Sequence, residues 1–217
     1  MWGVGWLASD SIPDATYVIT NAEIEHYTDE AERTLAEFGV TTDELIVVVS
    51  LGHEAAQLAP FERAALRMGA VAANADGVPG DAFRLSLYLQ HFAPALVVGL
   101  NAELVQGLDK FPDAVEALRQ TTVLARPAAA KLLAERGLDV YEFLLLGPAV
   151  AVECRLRAGA HLNADSWTPS VTDGGLVVES VRDGRRVATE MRGFVLRDPC
   201  ACGRPDPRIF LDRSASA

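Results

Sequence analysis

The chain has 217 residues, half of them hydrophobic, with a formal net charge of -11 and an isoelectric point near 4.8. That length and apolar content are enough to bury a core as one large domain, or as one domain with a small appendage. The acidic balance argues against binding nucleic acid or an anionic membrane, both of which call for concentrated Lys and Arg.

The opening "MWGVGWLASDSIPDA" has no basic stretch before its apolar residues, and no apolar run approaches the roughly 18 residues of a membrane span. "LIVVVSLG" and "FLLLGPAVAV" therefore read as buried strands. Three cysteines are an odd number and too few for a disulfide scaffold, so a reducing cytoplasm is the expected compartment.

In chain order, Thr20 and Glu23 form a capping box, followed by Ile24, Tyr27, Ala31, Leu35 and Phe38 at helical spacing before Gly39 stops the helix. "ELIVVVS" is a strand, 54–68 a helix ended by Gly69, "AVAA" a strand, 81–92 a helix and "ALVVGL" a strand. Asn101 caps a short helix, "TTVLA" is a strand, Pro127 sits in the first turn of "RPAAAKLLAERG", and "DVYEFLLL" closes the series. After Gly147 and Pro148 the pattern changes: "AVAVEC", "TPSVT", "GLVVES" and "RRVATEMRGFVL" read as strands, with Asp173-Gly174-Gly175 and Asp183-Gly184 as hairpin turns. The expected fold is α/β, with a parallel-sheet domain over 1–148 and a small antiparallel β domain over 149–217.

Cys154, His161, Cys200 and Cys202 all belong to that second part. Three thiolates and an imidazole make a closed tetrahedral zinc set with no position left for a reactive water, hence a structural site. The spacing leaves a second reading open, in which Cys154 is a small core residue and Cys200 and Cys202 are free loop thiols. A disulfide between residues two apart is strained and ranks last.

"VYEFLLLGPAVAVECRLRAGAHLNADSWTPSV", with "GGLVVES" and "CACGRPDPRI", resembles the later part of phenylacetate-CoA ligases, members of the adenylate-forming acyl-CoA synthetase superfamily. "FERAALRMGAVAANADG" and "LYLQHFAPALVVGLNAEL" resemble earlier segments at matching intervals, so the likeness covers most of 15–210. Family members that keep the Cys-x-Cys bind zinc through this region, and Cys154, His161, Cys200 and Cys202 fall on those positions. The resemblance also implies a homodimer, and a pocket for a small acyl or aromatic acid, a CoA ester or a carrier protein.

The chain departs from the family where nucleotide chemistry is done. The family's Gly-rich phosphate loop is replaced by "ASDSIPDATYVIT", with Asp10 and Asp14 where phosphates would lie. The Tyr-Gly-x-Thr-Glu motif, whose Glu helps hold magnesium, reads Tyr141-Glu142-Phe143-Leu144-Leu145. The ribose-binding Asp is missing from Met191-Arg192-Gly193-Phe194. The only lysines, Lys110 and Lys131, fall in helical surface patterns, and the chain stops about where the family's lid domain begins. Adenylation with ATP is therefore not expected, since its electrostatic stabilisation has no visible source.

Ligands of α/β sheets bind beyond the carboxyl ends of the strands. His53 and Glu54 follow "ELIVVVSLG" there, Glu142 occupies the altered motif, and Asn74 and Asp76 follow "AVAA". His53 with Glu54 and Glu142 is the candidate acid-base set, although Glu54 equally suits a helix N-terminus. His26 reads as lying on a solvated helix face and His91 as ending a helix. Three functions follow: a ligase-core homologue that binds a small molecule or partner without catalysis; an ATP-independent enzyme (hydrolysis, cyclisation or acyl transfer) built on His53 and Glu54; or a subunit supporting a full-length biosynthetic synthetase.

Overall fold

A computed structural model describes residues 1–6 and 16–212; the stretch 7–15, which holds Asp10 and Asp14, and the tail 213–217 lie outside the described residues. A two-stranded antiparallel ribbon, β1 (Gly3–Trp6) and β2 (Thr16–Ile19), precedes helix α1 (Asn21–Glu37). The Thr20 hydroxyl accepts from the Glu23 amide at 3.2 Å, and Glu23 accepts from the Thr20 amide at 2.8 Å, so the expected capping box forms.

Five parallel strands follow: β3 (Leu45–Ser50), β4 (Val71–Asp76), β5 (Leu96–Leu100), β6 (Thr122–Ala125) and β7 (Tyr141–Leu146), in the order β4-β3-β5-β6-β7. Between them run α2 (Ala55–Arg67), α3 (Ala82–Phe92), α4 (Ala102–Gly107), α5 (Pro112–Ala117) and α6 (Pro127–Glu135). The central strand β3 shows why both faces are covered. Ile46 and Val48 pack with Ala31, Leu35, Leu58 and Phe61 of α1 and α2, while Val47 and Val49 pack with Leu85, Leu89, Leu104 and Leu133 of α3, α4 and α6. All four strand residues are fully buried, as period-2 alternation inside a two-sided sheet requires.

From β7 onward the same sheet continues antiparallel through β8 (Ala149–Glu153), β9 (Ala160–Leu162), β14 (Arg208–Leu211) and β13 (Gly193–Leu196). Strands β7 and β8 pair from Phe143↔Val152 to Leu146↔Ala149, so strand hydrogen bonds run unbroken past residue 148. A separate sheet of β10 (Trp167–Thr172), β11 (Gly175–Ser180) and β12 (Arg186–Ala188) packs Trp167, Leu176 and Val178 on Leu144, Leu146 and Ala151. The α/β class, with a parallel sheet followed by antiparallel strands, is the fold observed.

Two local expectations need correction. "RRVATEMRGFVL" is two strands in two sheets: β12 pairs with β11, the chain bends at 189–192, and β13 joins the edge of the large sheet. The bend is anchored by Thr189, buried, whose amide donates to the Leu176 carbonyl at 2.8 Å. Gly193 is required at the rejoining point, because a Cβ there would lie 2.1 Å from the Phe210 carbonyl oxygen. The segment around His161, to which the sequence pattern assigns no strand, is β9, paired on both sides.

Candidate metal centre and flanking cavities

Register places the first two sulfur and nitrogen donors on one face. His161 and Val152 are antiparallel partners and so point the same way, and Cys154 lies two residues beyond Val152, on that face again. Cys200 and Cys202 come from the loop between β13 and β14, and β14 pairs with β9. Gly203, at φ +88°, reverses this loop, with its amide donating to the Cys200 carbonyl at 2.9 Å. The donor atoms of Cys154, His161, Cys200 and Cys202 all lie within 4.8 Å of one another.

The donor set fits a metal. A tetrahedral zinc with bonds of about 2.3 Å to sulfur and about 2.0–2.1 Å to nitrogen requires an S···N edge of roughly 3.5 Å. Cys202 Sγ lies 3.6 Å from His161 Nε2. His161 is 2% exposed, and its Nδ1 is buried without a hydrogen-bond partner among the described residues, so the thiol is the ring's recorded polar contact. Burial, reinforced by the Arg204 charge, lowers the His161 pKa to about 4, which keeps the imidazole in the neutral form that ligates. Burial and the neighbouring thiols push Cys202 up to about 11. Three sulfurs this close carry negative charge together only around a cation.

At the carboxyl ends of β3, β5 and β6 the chemistry is different. Glu54, 6% exposed, accepts from Arg126 through both oxygens, the Nη2–Oε2 contact being 2.7 Å, and also from the Leu51 amide at 2.7 Å. Arg126 further donates to the Gly99 carbonyl at 2.9 Å. His53 Nε2 is 3.9 Å from Glu54 Oε1, with its side chain 29% exposed. Glu142 stands beside Ala125, the last residue of β6, and its amide donates to Glu153 at 3.1 Å. The structure thus brings His53 to Glu54, and Glu142 lines a cavity together with Arg126, the partner of Glu54. Asn74 and Asp76 are exposed on the edge strand β4, and His91 is exposed in the last turn of α3.

Two cavities flank the sheet. One, of 1220 Å³, is lined by Glu142, Arg126, Lys131 and Arg192 among others. The other, of 390 Å³, lies between α1, α2, β8 and the Cys-x-Cys loop, and includes Glu30, Tyr27, Trp167 and His161. Beside it His26 is not solvated as expected: its Nε2 lies 2.6 Å from Ser166 Oγ and 2.8 Å from Glu30 Oε1, while Ser166 donates to Glu30. Burial raises Glu30 to about 7, and burial, with the charges of Arg182 and Arg33, lowers His26. Sequence reasoning missed this cluster because Ser166 lies 136 residues from Glu30. It missed Arg126 as well, for which Pro127 marked only a helix start.

No family model matches the chain, and no curated protein matches it. Solved structures do. A 2-hydroxyisobutyryl-CoA ligase in complex with 2-HIB-AMP and CoA, in its thioesterification state, superposes with a TM-score of 0.68 at 16% identity, covering 96% of this chain and 50% of the ligase. The same enzyme in a postadenylation state gives 0.62 at 18% identity over 92% of this chain, and an open conformation gives 0.60 at 17% over 90%. The chain spans about half the length of the ligase it matches, and it has the fold of that half of an acyl-CoA ligase.

Proposed function

We propose that the protein is a derived, phenylacetate-CoA-ligase-like homologue of the acyl-CoA ligase core that does not adenylate. It binds a small acyl or aromatic acid, a CoA ester or a carrier protein in the 1220 Å³ cavity beside Glu142. The observation that carries this reading is β7. The positions matching the motif's hydroxyl and magnesium carboxylate are Leu144, fully buried, and Leu145, half-buried, both packed in apolar clusters. Neither offers an oxygen to a nucleotide or a cation. The cavity wall carries more carboxylates than cations, so a bound acid or CoA ester would depend on direct pairing with Lys131 or Arg192 rather than on the overall charge of the lining.

Cys154, His161, Cys200 and Cys202 would hold a structural zinc. The ion would tie the β13–β14 loop to β8 and β9, and its closed donor set supplies stability rather than reactivity. The proposal includes a homodimer, a cytoplasmic location, a role in a biosynthetic pathway, and units divided at 148/149. Among the described residues no helix is long and apolar enough to cross a membrane. Should the protein turn over an acyl compound without ATP, His53 is the proposed base, with Glu54 and Glu142 as its carboxylates; turnover lost in His53→Ala with folding intact would establish that.

The test is the melting temperature with phenylacetate, phenylacetyl-CoA and Mg-ATP in turn. A ligand at 100 times its Kd adds about 2.7 kcal/mol of stability. A rise with an acid or CoA ester, and none with Mg-ATP, supports the proposal. A rise with Mg-ATP alone overturns it.

A further inference from the structure

The 390 Å³ cavity is distinct from the site just proposed and falls within the size range of small-ligand pockets, roughly 300–1000 Å³. Its walls are mostly apolar, with Tyr27 and Trp167 side by side, ring centroids 6.4 Å apart and planes inclined by 24°. The Trp167 ring already attracts one cation, the Arg185 guanidinium 5.9 Å from its centroid. Into this setting comes the Glu30 carboxyl. Ser166 and His26 both engage Oε1, while Oε2 accepts no hydrogen bond from the described residues.

We propose that this cavity binds a small organic ammonium ion with a flat apolar body, its nitrogen paired with Glu30 and set against the rings of Tyr27 and Trp167. The charge balance of the lining points the same way. Glu30, Glu37, Asp165 and Asp206 face two guanidiniums, Arg33 and Arg204. Arg204 is already held by Glu37 at 3.2 Å and Asp206 at 3.0 Å. A carboxylate entering here meets net repulsion, whereas an ammonium meets a carboxylate with two aromatic rings in the same wall.

The groups bearing on Glu30 are His26 and Arg33 from α1, Ser166 before β10, Arg182 after β11 and Asp206 before β14. Burial outweighs them all and raises the carboxyl to about 7. An ammonium ion arriving below that pH releases the Glu30 proton to solvent as the ion pair forms, so binding strengthens as pH rises toward 7. A neutral ligand of the same shape has no such dependence.

The experiment titrates the full chain with benzylamine, benzyl alcohol and benzoate at pH 8, followed by calorimetry. Benzylamine binding about tenfold more tightly than benzyl alcohol, with benzoate weakest, is the expected result. In Glu30→Gln, benzylamine should fall to the level of benzyl alcohol, whose own affinity is unchanged. Val150→Phe, at a half-buried position on the wall, should remove binding of both while the protein still melts cooperatively. Benzoate binding as tightly as benzylamine, or an amine preference surviving in Glu30→Gln, overturns the ammonium assignment. Failure of all three probes, or binding untouched by Val150→Phe, overturns the cavity as a site. Each affinity is read as the binding that Val150→Phe removes, so benzoate taken up by the 1220 Å³ cavity, whose wall does not include Val150, stays out of the comparison and its uptake there tests the earlier proposal separately.

Discussion

Arg126 grips both carboxylate oxygens of Glu54 across 72 residues of sequence, joining the carboxyl end of β6 to the turn after β3. The pair is largely buried, with side chains 16% and 8% exposed. Removing one partner leaves an uncompensated charge, which costs more than the intact pair contributes. Arg126→Ala should therefore lower stability by about 3–5 kcal/mol, and Arg126→Met with Glu54→Leu by clearly less than the sum of the single changes. Urea unfolding measures both.

Glu30 makes stability depend on pH. Its folded pKa is raised from 4.5 to about 7 by burial, so the native state holds the proton more tightly than the unfolded chain does. That contribution is present below about pH 4.5 and is lost as pH rises through about 7. The loss is on the order of 3 kcal/mol. Glu30→Gln should flatten this part of the profile and be more stable than the parent at pH 8, as read from denaturation midpoints at pH 5 and 8.

Asn101 holds two elements at once. Its Oδ1 accepts from the Leu104 amide at 3.2 Å, capping α4, and its Nδ2 donates to the Gly77 carbonyl at 2.6 Å. Asn101→Ala should cost about 1–2 kcal/mol, and Asn101→Asp, which keeps the cap but sets a second acceptor against the Gly77 carbonyl, should cost at least as much. A thermal melt of the two variants compares them.

That residue also shows how far sequence reading reaches. The cap to α4 is local, three residues long, and was legible; the bond to Gly77 crosses 24 residues and was not. The same division holds throughout. The capping box at Thr20, the parallel strands and the hairpins at Gly174 and Gly184 follow from short-range periodicity and turn chemistry. The continuous sheet through β9 and β14 does not, because a three-residue strand such as Ala160–Leu162 carries too little pattern to announce itself. His161 and the cysteines were found by residue type and resemblance, and strand register explains their meeting. Arg126, His26 and Ser166 are ordinary residues in sequence and acquire roles only through distant carboxylates.

The zinc proposal predicts close to one zinc per chain by metal analysis. Chelation should lower the melting temperature, and Cys200→Ser or Cys202→Ser should lower it in untreated protein while making it insensitive to chelator. A metal-free protein whose stability is unaffected by either serine would return Cys200 and Cys202 to free loop thiols.

ATP–pyrophosphate exchange asks whether this ligase core can adenylate an acid at all. The pure protein, assayed with magnesium and a panel of aliphatic and aromatic acids, should give no exchange above the enzyme-free rate if, as proposed, Leu144 and Leu145, packed in apolar clusters, stand where the resembled ligases carry their nucleotide-handling motif. Acid-dependent exchange that is lost on mutating Glu142 would contradict the proposal.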